Sequence, residues 1–525
     1  MFRKKIALIL TLAMVASMLT ACGSSNKDSD VSSSSKNEIV IAEGKEWEGV
    51  DVYQLSYSGE GQPLMSEGLL THNQETGDLA SSIATDIVIS EDGKTITLTI
   101  PEGLKYANGE DVKAEDVKRS IEWGLEVSPY NVDYTSIESI TVDGNKVVLS
   151  LEEFSTTILY YLSSNFMSLL DKDQIESMSE EELLTKASPY GLYSVEEFVS
   201  GSHVTLKKNE NYKTLNENVE NKGSAAVDKI TVRFMSEGFS IVSGLKSGDV
   251  DVAFSLPTES IDELKGIEGI TVEEFAKSGI NYLVLNKDNK FFADESVRKA
   301  VSLSINRDLI ASLNNNYVRP AYSFIVPEML DYDEEIAKYY ENTYSNDLEE
   351  AKKILKDAGF EDTNNDGYLE KNGETFEFTL GVSTESYHAK NTAQAMQLQL
   401  KEAGIKVNIE AMESGYLKQG IKEDKYDAAI RDYEWCEPAS ILPYIIDDSN
   451  NLENQSYYDL MYGAAKIVNS DERQSQFADA QKVLMDELAL IPLLQEVKSY
   501  AYRDTVEGIK VLNDGTIIYN DLKIK

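Results

Sequence analysis

From residue 80 onward this chain switches repeatedly between an apolar period of two and one near 3.6, and that alternation restricts the folds open to it more than any other feature. Ile87 and Ile89 stand on one side of Asp92-Gly93, with Ile96, Leu98 and Ile100 on the other; alternation about a tight-turn dipeptide predicts a hairpin. Val117, Ile121 and Leu125 then recur at helical spacing, and Val142 to Leu151 repeats the hairpin pattern around Asp143-Gly144. Val227, Ile230, Val232 and Phe234 predict a strand. Asp249 to Phe254 predicts another after a short glycine-bounded helix, and Tyr282 to Asn286 a third. The following helix carries Val297, Ala300, Val301, Ser304 and Ile305 on one face. Asn346 with Glu349 makes a predicted capping box for a helix that stops at Gly359. A further helix, Ala393 to Ala403 with Gly404 as its stop, leads into a strand through Ile405, Val407 and Ile409. Strands and helices in this order predict an α/β fold. No internal repeat is present.

The N-terminus fixes the compartment. Arg3, Lys4 and Lys5 precede an apolar run from Ile6 to Met18, the pattern of a secretory signal and too short to span a bilayer, which takes about 20 residues. Leu19-Thr20-Ala21-Cys22-Gly23 resembles the lipobox of bacterial lipoproteins, which implies removal of residues 1–21 and a diacylglycerol on Cys22. Two acyl chains anchor where one holds only marginally. Residues 22–37 are largely Ser, Asn, Asp and Lys, a composition that makes a flexible tether. The protein is therefore expected at the extracellular face of the cell membrane, anchored by lipid.

Roughly 490 residues follow the tether, more than one core usually serves, so two or three lobes are expected. With 42% hydrophobic residues the mature chain is globular. Apart from Cys22 the only cysteine is Cys436, so no intramolecular disulfide is available. Loss of Arg3, Lys4 and Lys5 with the signal takes the formal net charge from −42 to −45. Such a surface repels phosphate backbones and anionic headgroups, which argues against nucleic-acid partners.

Each search for catalytic chemistry fails. His72, His203 and His388 are isolated in sequence and read as structural or surface residues. No Gly-x-Ser-x-Gly, His-Glu-x-x-His or Cys-x-x-Cys occurs, and Gly59-x-Gly61 lacks the third glycine of a dinucleotide loop. No enzyme activity and no cofactor are expected. Asp362, Asn364 and Asp366, with Gly367, match the opening of a calcium loop, but Gly373 occupies the twelfth position, where a bidentate Glu belongs. A surface turn is the better reading of that segment.

Six ordered blocks carry a resemblance. Ser66-Glu67-Gly68-Leu69-Leu70-Thr71, EDGKTITLTIPEGLKYANGEDVKAEDV (91–117), ASPYGLYSVEEFVSGSHVTLKKNENY (187–212), LKSGDVDVAF (245–254), NKDNKFFADESVRKAVSLSINRDLI (286–310) and LEEAKKILKDAGF (348–360) are similar to segments of the family 5 solute-binding proteins. Those proteins serve oligopeptide, dipeptide and nickel ABC importers. The resemblance implies a bilobal periplasmic-binding fold with an extra domain, closing about a hinge. Lobe I would comprise 38–70, 185–278 and 497–525, the inserted domain 71–184, and lobe II 279–496. It also implies a monomer that captures a short peptide and hands it to membrane permease subunits. In peptide-binding relatives an aspartate four residues before the proline of a Glu/Asp-Pro pair grips the ligand's α-ammonium. Here the pair is Glu437-Pro438 and Glu434 stands at that position, flanked by Tyr433 and Trp435, with Arg431 where the family often has Trp. Glu434, Trp435, Tyr433 and Arg431 are the expected ligand-binding residues. An oligosaccharide or a metal chelate as ligand, a peptide-signal receptor and a surface hydrolase are the alternatives.

Overall fold

The computed structural model describes residues 37–74, 77–130, 136–315, 317–447 and 454–525; the basic start, the apolar run and Cys22 lie outside them. The described chain builds a 12-stranded mixed sheet. Across it the strands run Lys406–Met412, Glu377–Ser383, Ala428–Asp432, Asn281–Leu285, Leu490–Arg503, Val252–Ala253, Glu38–Glu43, Lys229–Phe234, His203–Lys208 and Tyr193–Val199. Ile270–Ala276 and Val318–Pro320 pair alongside Leu490–Arg503.

Parallel neighbours need crossovers, and helices supply them. Gly238–Ser247 connects Lys229–Phe234 to Val252–Ala253, both of which lie parallel to Glu38–Glu43. Tyr387–Glu402 and Ser414–Lys422 connect the parallel set Glu377–Ser383, Lys406–Met412 and Ala428–Asp432. Every residue of Asn281–Leu285 is buried, as expected of a strand covered on both faces.

The two hairpins predicted from alternation join in a separate four-stranded sheet, ordered Thr85–Ile89, Thr95–Thr99, Lys146–Leu151, Ile137–Asp143. The helix Ala114–Val127 packs on it and buries Val117 and Ile121.

Three local expectations shift. The cap of Leu348–Asp357 is Asp347, whose carboxylate accepts from Glu350 N at 3.0 Å, and Asn346 takes φ 51° before it. Either residue type can cap, but asparagine tolerates the left-handed turn better, so the cap falls one position later. The helix expected from Ala393 begins at Tyr387, capped by Ser386; its first turns bury polar His388 and Thr392, which no apolar pattern reveals. The strand expected over 249–254 shortens to Val252–Ala253. The Asp251 carboxylate accepts from Val40 N at 2.9 Å and takes the place of a ladder carbonyl there.

Buried apolar side chains gather into two large clusters. One runs from Ile280 to Leu494; the other joins residues between Ile39 and Phe254 to Tyr500, Val506, Ile517, Tyr519 and Leu522. The 14-residue strand Leu490–Arg503 passes from one to the other. Its first half pairs with Asn281–Leu285 and Val318–Pro320, its second with Val252–Ala253 and Ile270–Ala276. Among the described residues no helix is long and apolar enough to cross a membrane.

Candidate functional site

Where the two cores meet, the crossing strand and the end of Ala428–Asp432 face a cleft made of two adjoining chambers of about 470 and 580 Å³. Both volumes lie in the range of small-ligand sites. Glu60, Phe275, Lys277 and Lys498 belong to the walls of both. The first chamber takes Glu434, Trp435 and Cys436 from one side and Tyr130, Tyr160 and Phe166 from the other, and is completed by the 514–520 segment. The second is rich in hydroxyls: Ser255, Thr258, Ser383, Ser386, Ser414 and Ser499, with His388, Glu385, Asp432 and Glu496 among them.

Glu434 reaches the cleft because the chain beyond Asp432 stays extended. Tyr433 N donates to Ile280 O at 3.2 Å and Trp435 N to Ser278 O at 2.7 Å. That close approach requires glycine at 279: a Cβ there would lie 2.0 Å from the Tyr433 carbonyl oxygen. The four expected ligand residues divide between the cleft and the core. Glu434 and Trp435 line the first chamber. Tyr433 is buried in the 280–494 core, its hydroxyl donating to Phe324 O and its ring 6.1 Å from that of Tyr282. Arg431, opposite Tyr282 in the strand register, is buried and lines neither chamber.

The Glu434 carboxylate is not left to itself. Lys498 Nζ lies 2.6 Å from Oε1, and Lys277 Nζ lies 3.6 Å from Oε2. Lys277 also stands 3.7 Å from Asp432 and 3.6 Å from Glu496. Burial pushes the Glu434 carboxyl up, but the Lys498 and Lys277 ammonium groups outweigh it and hold the group below the usual glutamate range. Burial likewise pulls Lys277 down, and Glu434, Glu496 and Asp432 more than reverse this, so it stays a cation. None of these lysines has a sequence signal; they come from segments more than 200 residues apart that meet only through the sheet.

Trp435 sits in an aromatic box, with ring centroids 5.7 Å from Tyr130, 5.3 Å from Tyr160, 6.4 Å from Tyr161 and 6.0 Å from Phe166. It packs against both cores, and its indole Nε1 is buried without a hydrogen-bond partner among the described residues. Cys436 is half-buried beside Tyr160, and burial pushes its thiol well up. Glu437, the acid of the Glu-Pro pair, faces away from both chambers. It accepts from Thr156 Oγ1 at 2.9 Å, Ala439 N at 3.0 Å and Ser440 N at 2.8 Å, so it starts the helix Pro438–Asp447 and fastens it to Thr156–Ser163.

Other sequence-flagged residues have other duties. Gly59 and Gly61 pack against Trp47 and Glu43, with Gly61 N donating to Glu43 Oε1. His72 and His388 line the first and second chambers, and His203 stands 3.7 Å from Glu197 at the surface. Asp362, Asp366 and Glu370 place carboxylate oxygens within 4.8 Å of one another. The loop's own donors bind them: Gly367 N to Asp362, Tyr368 N to Asp366, and Thr363 N, Thr363 Oγ1 and Asn364 Nδ2 to Glu370. These bonds account for the segment as a turn.

The sequence profile of the bacterial extracellular solute-binding proteins, family 5 middle, matches residues 77–439. The chain belongs to that family. This family 5 protein is 24% identical over 469 residues to the oligopeptide-binding protein AppA of Bacillus subtilis, covering 81% of this chain and 80% of the relative. It is 22% identical to the glutathione-binding protein GsiB of Escherichia coli, over 98% of both. NikA from Brucella suis in complex with Fe(III)-EDTA superimposes with a TM-score of 0.80 at 17% identity, covering 93% of this chain and 100% of NikA. This family 5 protein thus has the bilobal solute-binding fold.

Proposed function

We propose that the protein captures short peptides in the cleft between its lobes, gripping the N-terminal ammonium with Glu434 and the backbone with polar groups around it, and delivers them to the permease of an ABC importer. The observation that carries this reading is an ionised glutamate in the wall of an approximately 470 Å³ chamber at the junction of two cores. A carboxylate fixed in a cleft is suited to an ammonium group, because a charge enclosed without a partner is strongly unfavourable. The oligopeptide-binding relative supports the same solute class. The lobes, with boundaries at 38–70, 185–278 and 497–525 for the first and 279–496 for the second, close about the crossing strand. Residues 71–184, which hold the separate four-stranded sheet, are the inserted domain. A lipid on Cys22 keeps the monomer at the extracellular face of the membrane.

Calorimetry with a short-peptide pool, free and N-acetylated, tests the reading: free-amine peptides bind, and acetylation abolishes or strongly weakens capture. Equal affinity for both forms rejects the amine role. A second reading, an oligosaccharide ligand, is favoured by the aromatic box around Trp435, since ring faces stack on sugars. Mass spectrometry of solute co-purified from the native host separates the two.

A further inference from the structure

Glu434 is paired twice within its own chain, and the two lysines that pair with it are held very differently. Lys277 is enclosed, its side chain 11% exposed, and shared among Asp432, Glu434 and Glu496 at 3.6–3.7 Å. Removing it would leave three carboxylates facing one another. Lys498 has a single ion-pair partner among the described residues, Glu434 at 2.6 Å, and its side chain is 36% exposed. It stands in the wall common to both chambers. A lysine at that exposure can turn its flexible stem and give its ammonium back to water, so of the two pairs only this one can open easily.

We propose that Lys498 is a specificity-determining residue that competes with the solute's own ammonium group for the Glu434 carboxylate. The proposal rests on the reading that this cleft takes peptides by their N-terminal amine. A solute amine that enters the first chamber displaces Lys498 and leaves the charge balance of the cluster as it was. A neutral or anionic terminus cannot make the exchange, because the Glu434 charge would lose its closer partner. Lys277, Asp432 and Glu496 form a fixed frame during the exchange, and only Lys498 moves. Lys498 thereby lowers affinity for every amine and narrows the margin by which amine-bearing solutes are preferred over those that lack one.

The test uses the mature protein, the tripeptide Ala-Ala-Ala and its N-acetyl form, with wild type, Lys498→Met, Lys498→Gln and Lys498→Arg compared by calorimetry. Circular dichroism and melting check that each variant is folded. Both neutral variants are expected to bind the free-amine peptide roughly tenfold more tightly than wild type, a coupling of ordinary size, with no gain for the acetylated peptide. Lys498→Arg restores the wild-type affinities. A gain shared equally by both peptides, or weaker binding of the free amine by the neutral variants, overturns the proposal while peptide capture stands. If wild type takes the acetylated peptide as tightly as the free one, the amine reading falls and the proposal with it.

Discussion

Glu43 and Glu434 are both acids close to the cleft, and the fold drives them in opposite directions. Glu43 ends the strand Glu38–Glu43, buried, with Trp47 Nε1 donating to it at 2.8 Å. Burial and then the neighbouring charge of Glu60 push its carboxyl up to about 8, against the hydrogen bonds from Trp47 and Gly61. An acid that holds its proton more tightly folded than unfolded gives stability that is fully present below its unfolded pKa, near 4.5, and lost as pH rises through about 8. Thermal melts of wild type and Glu43→Gln between pH 4.5 and 8.5 are expected to show the wild type losing more stability with rising pH than the variant; parallel curves reject this. Glu434 is the reverse case, an acid kept ionised by two lysines, and Glu434→Gln is expected to weaken free-amine peptides roughly ten- to hundredfold, since hydrogen bonds to charged groups contribute about 1.5–3 kcal/mol. Titration by calorimetry measures it. The place of Glu434 in the cleft wall was legible only through the family resemblance, which marks the residue four before Pro438. Its lysines were not, because ion pairs between residues 277, 434 and 498 exist only once the sheet is assembled.

Among the elements, those with strong periodicity were legible and those fixed by single polar contacts were not. The paired hairpins and the helix Ala114–Val127 follow from apolar alternation and lie where that alternation puts them. The division of Arg431 and Tyr433 from Glu434 and Trp435 emerges only in the folded chain, because a family pattern read along the sequence names neighbours without saying which face each takes. Glu437 shows the same limit: its value is to the helix Pro438–Asp447 and to Thr156, not to a solute. Glu437→Ala removes one acceptor from several buried donors at once. It is expected to lower unfolding free energy by about 2–3 kcal/mol, read by denaturant titration. An unchanged midpoint contradicts this role. Gly279→Ala is expected to displace the 433–435 segment and reduce peptide affinity with only a modest loss of stability, because the clash is with the carbonyl that positions Glu434. Calorimetry and melting on the same sample separate the two effects.

For the whole molecule the dominant electrical fact is a formal charge of −42, which becomes −45 without residues 1–21. A field of that sign draws cations toward the cleft, and screening over about 10 Å at 0.1 M salt weakens it. Lysine-containing peptides are therefore expected to lose association rate as salt rises, while uncharged ones change little; stopped-flow binding at several ionic strengths decides. Cys22→Ser is expected to release the protein from cells into the medium, read by fractionation.

The strand Leu490–Arg503 lies near the centre of the large sheet and serves both halves, yet it is made after every strand it pairs with. Until the ribosome has passed residue 503, neither half can complete its sheet. Late arrival of the shared strand therefore makes closure of the sheet wait, in both halves at once, for a single segment.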